Sequence, residues 1–305
     1  VGGLRFFFEV VVPLEDREYD KLGKLVLYVA RVESRVPPVD EAAELPAGDG
    51  GRLEAIRQRG TLRVGYLNDA LPFVYKNEGG RLVGLEADLA HMLAGELGVG
   101  LEFIRVTRKD LGRYLQAGHI DVVMSGLLIT PERSLELRFT TPHLQSTLGL
   151  VVADHDRGKF DTNEKLRALT SVNIAAVNLP YYSRYVKRHL PNVDVVPLES
   201  PRAFFEAEPG TYDGLLHSAE AGSAWTLVYP AYSVVVPKPN TVTAPMALGL
   251  PLDAPRLYAF VDTWLQLQQA SGTLDRLHSY WILGEGSVPS EPRWSVIRDV
   301  LGWVE

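Results

Sequence analysis

Hydrophobic and polar positions alternate along the chain with two periods, and the alternation predicts a regular succession of strands and helices. "TLRVGYL" is a β-run, after which apolar residues recur at helical spacing from Leu85 through Leu89 to Leu97, with Gly98 as a stop. "LEFIRV" follows as a strand, "LGRYLQAG" as a helix and "HIDVVM" as a buried strand. This order indicates an open parallel sheet covered by helices.

A second unit with the same rhythm follows. "LGLVVADH" and "VNIAAV" are predicted strands, and "NEKLRALT" and "PYYSRYVKRHL" are predicted helices, the latter with Pro180 in its first turn. Two helices, "APRLYAFVDTWLQLQQASG" and "TLDRLHSYWILG", come after it. The pattern therefore predicts two α/β units.

Composition narrows the function classes. The 305 residues are enough for two domains, and 46% hydrophobic with 23% charged residues is ordinary for a globular protein. The net charge of −7 argues against a nucleic-acid partner, and the absence of cysteine excludes disulfides and thiol catalysis. The seven histidines show no metal-ligand spacing, and no G-x-G-x-x-G loop occurs, so we expect no metal and no cofactor.

The beginning of the chain is open to two interpretations. "GGLRFFFEVVV" is either the tail of a membrane helix or an edge strand, although no window of about twenty apolar residues occurs. The stretch from Val36 to Arg52 is rich in Pro, Gly and acidic residues and is typical of a linker.

The stretch "SGLLITPERSLELRFTTPH" carries the most specific chemistry. Ser125 and Gly126 end a strand, where a hydroxyl and backbone N–H groups can cradle an anion. Thr130 is a candidate N-cap, Pro131 the first helical residue, and Arg133 follows in the same turn. The planar guanidinium matches a carboxylate bidentately, and the alternative is a solvated surface arginine.

Several motifs in this order resemble the extracellular solute-binding proteins of the polar-amino-acid type. They are "GTLRVGY", "PFVY", "GLEADLAHMLAGELGV", the stretch around Arg133 and the two late helices, and together they cover Gly60 to Gly284. The resemblance implies an α/β "Venus flytrap" fold, in which two lobes enclose a ligand and two crossover strands form the hinge. Such sheets bind ligands at the carboxyl ends of their strands.

The resemblance also implies a division of the chain. The expected parts are an N-terminal extension and linker (1–52), a first lobe (53–147 plus 241–286), a second lobe (148–240) and a C-terminal tail (287–305), with crossings near Ser146–Asp154 and Tyr232–Asn240.

A finer resemblance concerns the ends. "EYDKLGKLVLY", "SAEAGSAWTLVYP" and "PRWSVIRDVLGWVE" are similar to segments of solute-binding domains fused to transporters of the dicarboxylate/cation symporter type. This implies a membrane transporter as partner, on the same polypeptide before Val1, and a periplasmic or extracellular location tethered to the inner membrane.

In the family, the arginine that Arg133 matches holds the ligand's α-carboxylate. The sequence departs from the family at Leu128, where a Ser or Thr is usual, and at Ser218, where an aspartate usually pairs with the ligand's ammonium group. Glu220 is either a substitute for that aspartate or a charge at the start of the helix "AEAGSAWTLV".

The aromatic pair of the family would fall near Ala70 and Arg108, and neither is aromatic. Phe73 and Tyr75 are candidates for one face, with core packing as the alternative for Phe73. Arg108 is either a second cation for a second carboxylate or a surface residue. Asn178 is a candidate for a polar contact from the second lobe.

A buried ligand ammonium without a carboxylate partner is strongly disfavoured. The sequence therefore predicts an anionic ligand: a dicarboxylate, another organic acid or an acidic amino acid, held for delivery to a transporter or for its regulation. Two alternatives stay open. One is a dehydratase-like enzyme on the same fold with Glu220 as general acid, and the other is the sensor domain of a membrane signalling protein.

Overall fold

Two lobes, each built around one mixed sheet, make up the computed structural model of this chain, which describes residues 19–37, 51–177, 180–239 and 242–284. The strands of the first sheet are β1 (Ser34–Arg35), β2 (Thr61–Leu67), β5 (Gly100–Val106), β6 (Val122–Val123), β7 (Arg138–Phe139) and β14 (Gly249–Leu250). Their order is β1-β5-β2-β6-β14-β7, parallel from β1 to β6 and antiparallel from β6 to β7. A hairpin of β3 (Tyr75–Lys76) and β4 (Leu82–Val83) lies beside this sheet.

The second sheet has a parallel half and an antiparallel half. Its strands are β8 (Leu144–Ala153), β9 (Val172–Val177), β10 (Val193–Leu198), β11 (Gly214–Ser218) and β12 (Tyr232–Val235), in the order β10-β9-β11-β8-β12. β10, β9 and β11 are parallel, whereas β8 is antiparallel to both of its neighbours. The predicted α/β architecture of two sheets is confirmed.

Helices cover both sheets. Those of the first lobe are α1 (Tyr19–Lys24), α2 (Gly51–Arg59), α3 (Leu85–Leu97), α4 (Leu111–Ala117), α5 (Pro131–Ser134), α11 (Pro255–Ala270) and α12 (Thr273–Trp281). Those of the second lobe are α6 (Arg157–Phe160), α7 (Asn163–Ala168), α8 (Pro180–His189), α9 (Pro201–Phe205) and α10 (Ala219–Val228). In the ranges that the structure describes, no helix combines the length and apolarity needed to cross a membrane.

Local sequence signals explain several element boundaries. The predicted stop at Gly98 is confirmed, and Gly60 ends α2 in the same way, since both follow a helix with φ near +70°, in the left-handed region that glycine tolerates best. β2 is buried along all but its first residue, which agrees with the nearly continuous apolar run of a central parallel strand.

One long strand joins the lobes. Residues 144–147 of β8 pair with β13 (Thr243–Met246), and residues 148–153 of the same strand pair with β11 and β12. The chain therefore passes from the first lobe to the second without leaving β8, and it returns between β12 and β13. The lobe boundaries at 147 and 241 stay a prediction, and β8 and β13 are the strands that run through this region.

The N-terminal segment ahead of the predicted linker packs against the first lobe. Its described part, 19–37, contributes β1 to the first sheet and packs onto α3. The buried carboxylate of Asp88 in α3 accepts hydrogen bonds from the N–H groups of Tyr28 (3.1 Å) and Val29 (3.2 Å) and from the Trp281 indole (2.6 Å). Residues 1–18 and 38–50, which include "GGLRFFFEVVV" and most of the predicted linker, lie outside the described residues.

Candidate functional site

A cavity with about 550 Å³ of empty space, which includes space open to solvent, lies between the lobes, where the carboxyl ends of β2 and β6 face those of β9 and β11. Six of the residues predicted from the sequence line it: Phe73, Arg108, Ser125, Gly126, Arg133 and Ser218. The position agrees with the general rule that α/β sheets bind ligands outside the carboxyl ends of their strands.

Three other spaces have larger empty volumes: about 860 Å³ beside α1, about 790 Å³ inside the second lobe, and about 790 Å³ beside Thr130 and Tyr182. The second of these is lined mainly by apolar side chains such as Leu148, Ile174 and Val186. We assign the site by position and chemistry rather than by size, because this cavity lies at the strand ends of both lobes and two guanidinium groups, Arg108 and Arg133, line it.

Arg133 is positioned by the turn that precedes it. As predicted, the Thr130 hydroxyl accepts a hydrogen bond from the Arg133 N–H (3.3 Å), and Pro131 is the first residue of α5. The Arg133 guanidinium donates from Nη1 to the Leu128 carbonyl at 2.7 Å, which fixes its orientation toward the cavity. Thr130 is thus a cap that places Arg133 and does not itself line the cavity.

Burial affects both arginines of the cavity. It lowers the pKa of Arg133, although Tyr182 and Glu132 act in the opposite direction. The pKa of Arg108 falls to about 10, mainly through burial and then through the positive charge of Arg133. Two guanidinium groups thus lie in this cavity, together with the carboxylate of Asp69.

The loop at Ser125 and Gly126 is fixed by hydrogen bonds to other parts of the first lobe. The Ser125 hydroxyl accepts the Leu67 N–H at 2.8 Å, and the Gly126 N–H donates to Oε2 of Glu86 at 2.9 Å. The expectation that the Gly126 N–H cradles an anion is therefore wrong, because a buried carboxylate already accepts it. Gly126 has φ of +65°, and a Cβ there would lie 2.3 Å from the ring of Phe73.

Of the two predicted aromatic residues, Phe73 lines the cavity and Tyr75 does not. Phe73 is 2% exposed and serves both as core and as a wall of the cavity. Tyr75 lies away from the cavity, because its hydroxyl donates to the Leu22 carbonyl (2.9 Å) and its ring packs edge-on against Trp281. Asn178 lies outside the described residues.

In the second lobe the predicted polar groups are used internally. The Ser218 hydroxyl caps α10 by accepting the Ala221 N–H at 3.2 Å. Glu220 lies in the first turn of this helix, and its carboxylate accepts hydrogen bonds from the Ser146 hydroxyl and the Thr147 N–H on β8. Glu220 is therefore bound to the hinge strand and is not among the residues that line the cavity.

Three residues at the cleft were not identified as site residues. His217 is the next-to-last residue of β11 and lines the cavity, and its Nδ1 accepts the Ser218 N–H at 2.8 Å. Burial and then the charge of Arg108 lower the pKa of His217 to about 4, so its ring is neutral at pH 7. Asp69 follows β2 and pairs with Arg202 of the second lobe at 2.7 Å. The strand ends were the available signal for His217 and Asp69, whereas nothing in the pattern around Arg202 indicated a partner.

Several contacts join the lobes at the rim of the cleft. Besides the Asp69–Arg202 pair, Arg108 donates to the Glu199 carbonyl at 3.2 Å and Lys109 lies 2.8 Å from the Glu199 carboxylate. On the other side of the cleft, Glu132 pairs with Arg184, and the Tyr182 hydroxyl donates to the Ile129 carbonyl at 3.3 Å. The lobes are therefore in contact on both sides of the cavity.

Comparison with known proteins gives three similarities. The family model described as bacterial extracellular solute-binding proteins, family 3, matches residues 62–284. The cyclohexadienyl dehydratase of Pseudomonas aeruginosa is 26% identical over 76% of this chain and 86% of its own length. The ABC transporter arginine-binding protein 1 of Escherichia coli is 27% identical over 69% of this chain and 86% of its own.

A solved structure also resembles this chain. The crystal structure of an ancestral amino acid-binding protein, described as a precursor of cyclohexadienyl dehydratase, has a TM-score of 0.66 and 31% sequence identity. It covers 75% of this chain and 99% of its own.

Proposed function

We propose, on the premise that this chain belongs to family 3 of the bacterial extracellular solute-binding proteins, that it captures a small anionic solute between its lobes. Membership of the family confirms the resemblance seen in the sequence. The observation that carries the proposal is the pair of partly buried guanidinium groups, Arg108 and Arg133, in one cavity. The one carboxylate lining this cavity among the described residues, Asp69, is already paired with Arg202.

The charges favour a particular ligand class. Arg133 would hold one carboxylate bidentately, and Arg108 would hold a second anionic group. Ser218 supplies no negative charge for an ammonium group, and Glu220 faces the hinge strand. We therefore propose a dicarboxylate, another organic acid or an acidic amino acid. Relatives with arginine in their names make a cationic amino acid the main competing class, for which Asp69, released from Arg202, is the candidate partner.

The proposal extends to a membrane partner. A family of extracellular solute-binding proteins acts outside the cytoplasm, and delivery of the solute to a membrane transporter, or regulation of that transporter, follows as the biological role. Attachment to a transporter of the symporter type and tethering to the inner membrane rest on the end motifs alone and belong to this proposal.

An enzymatic role is the second candidate, because one relative is a cyclohexadienyl dehydratase. The position of Glu220 argues against it as the general acid, since its carboxylate lies on β8 rather than in the cavity. Incubation with a bound acid, followed by mass spectrometry for the loss of one water, separates turnover from retention.

A thermal-shift screen tests the binding proposal. The panel contains succinate, glutarate, glutamate, arginine, glutamine and glucose, and each stabilising compound is followed by calorimetry. A ligand that binds only the folded state raises the melting temperature. At a hundredfold excess over its dissociation constant it raises the free energy of unfolding by about 2.7 kcal/mol. Stabilisation by arginine or glucose but by none of the acids would overturn the proposal.

A further inference from the structure

A buried carboxylate connects the wall of the cavity to the rest of the first lobe. Glu86, in the first turn of α3, is 0% exposed. Its Oε2 accepts the Gly126 N–H at 2.9 Å, and its own N–H donates to the Phe73 carbonyl at 3.0 Å. Glu86 thus contacts two of the first-lobe loops that line the cavity, those of Phe73 and Gly126.

The other oxygen of Glu86 faces the hinge. Oε1 lies 3.0 Å from Nε2 of His143, and the two side chains are 0% and 1% exposed. His143 immediately precedes β8, and its N–H donates to the Met246 carbonyl of β13 at 3.0 Å. His143 therefore sits where the outgoing and returning hinge strands pair.

Stability alone is a poor explanation for this pair. Nδ1 of His143 has no hydrogen-bond partner among the described residues, and the contact between Oε1 and Nε2 does not satisfy the geometry of a good hydrogen bond. Buried polar groups are normally satisfied, and an apolar pair of similar volume is often at least as stable as a buried ionisable one. Burying these polar atoms costs free energy that the hydrogen bonds of the pair do not offset. The arrangement of loop and hinge strand that the pair fixes is therefore the better explanation for its presence.

We infer that Glu86 and His143 are positioning residues that hold the Gly126 loop of the cavity in register with the hinge strands β8 and β13. The inference rests on the proposed function only in taking this cavity as the solute site. Three residues that line the cavity are each one hydrogen bond away from the pair. Gly126 donates to the Glu86 carboxylate, and the Phe73 carbonyl accepts the Glu86 N–H. The Met246 carbonyl accepts the His143 N–H. A solute that shifts the Gly126 loop therefore acts on the start of β8 through two side chains.

Hydrogen exchange measured by mass spectrometry on the full chain tests this without any solute. Glu86→Ala should speed exchange of the segments 124–127 and 143–147 by about tenfold or more, since it removes a charge-assisted hydrogen bond and the contact to His143. Glu86→Gln, which keeps an oxygen acceptor, should restore part of the protection at 124–127. Glu96→Ala, an exposed position of the same helix, is the matched control and should change neither segment.

Hydrogen exchange of β9 in the other lobe serves as an internal reference, because a general loss of stability would speed its exchange as well. Exchange that rises at 172–177 as much as at the two test segments, or that rises at 124–127 alone, overturns the inference.

Binding is measured separately with succinate and glutamate as probes. If the wild-type protein binds neither probe, that result counts against the proposed function. The positioning role is then decided by the hydrogen-exchange experiment alone. If a probe binds wild type, Glu86→Gln should weaken it several-fold more than Glu96→Ala does, and equal affinities overturn the positioning role.

Discussion

The two lobes present different chemistry to the same cavity. The first lobe contributes two guanidinium groups, Arg108 and Arg133, which both line it. The second lobe uses the Ser218 hydroxyl to cap a helix and the Glu220 carboxylate to bind the hinge strand, which leaves the neutral ring of His217. The cationic side chains that line the cavity thus come from the first lobe, whereas the second lobe contacts the first at the rim.

The largest effect is expected from the first lobe. Arg133→Ala should weaken binding of an acid found in the screen by about a hundredfold or more, because a bidentate charge-assisted pair is lost from a largely desolvated site. Isothermal titration calorimetry measures it. Arg188→Ala, an exposed arginine of α8, is the matched control. Equal affinities for the Arg133 variant and the control would remove Arg133 from the site.

A smaller and more selective loss is expected at the second arginine. Arg108→Ala should weaken dicarboxylates by about tenfold, while a monocarboxylate of the same length should lose little, since only the former has a group for Arg108. The comparison uses pairs such as glutarate and pentanoate in the same calorimeter. A loss of the same size for both acids would mean that Arg108 acts on the whole cavity and not on a second anionic group.

In the second lobe, Ser218→Ala should affect folding more than binding. Loss of the N-cap of α10 should lower the free energy of unfolding by about 1 kcal/mol, as measured by urea denaturation. Ser218→Asp keeps a capping oxygen and adds a carboxylate beside the cavity, so it should weaken acids and favour amines. Stronger binding of succinate by Ser218→Asp would contradict the charge comparison between the lobes.

The rim pair should matter least among the substitutions. The side chain of Arg202 is 42% exposed and that of Asp69 12%, so solvent screens their attraction. Arg202→Ala should change affinity by about fivefold or less, through a less favourable closed state. Lys187→Ala, at an exposed pair within the second lobe, controls for loss of charge. An effect as large as that of Arg133→Ala would place the decisive cation in the second lobe.

Buried groups make opposing contributions to the dependence of stability on pH, two histidines in one direction and Asp88 in the other. His217 and His91 have pKa values lowered from 6.5 to about 4, so the unfolded chain binds more protons in this interval and stability falls as the pH falls. Burial raises the pKa of Asp88 from 3.8 to about 6, so the folded chain binds the extra proton and stability rises as the pH falls through 6.

Replacing one of the histidines separates these contributions. His217→Gln should lose less stability than wild type between pH 6.5 and pH 4, as measured by urea unfolding at a series of pH values. Parallel pH profiles for the two proteins would show that the His217 ring is not held neutral by the fold.

Local rules were enough to predict the turn that carries Arg133. Thr130, Pro131 and Arg133 form a cap and turn whose geometry depends on neighbours within three residues, and the structure has it as expected. Gly98 and Pro180 marked helix boundaries for the same reason. Where a side chain's position follows from its own turn, the sequence pattern is sufficient.

The misplaced residues have partners far away in the chain. Glu220 contacts Ser146 and Thr147, more than seventy residues earlier, and Gly126 donates to Glu86, forty residues earlier. Neither partner can be identified from spacing, because the pairing exists only after β8 and α3 have packed. The Gly126 N–H and the Glu220 carboxylate both looked available in the sequence for this reason.

The segment 19–37 lies outside the stretch that the family description matches, yet it is structurally part of the first lobe. A protein trimmed for expression at residue 62 would retain Asp88 and Tyr75 but lose the N–H groups of Tyr28 and Val29 and the carbonyl of Leu22, and β5 would gain an open edge. Such a product should be prone to aggregation through that edge. In this molecule the stretch that matches the family begins later in the chain than the residues that pack into the first lobe.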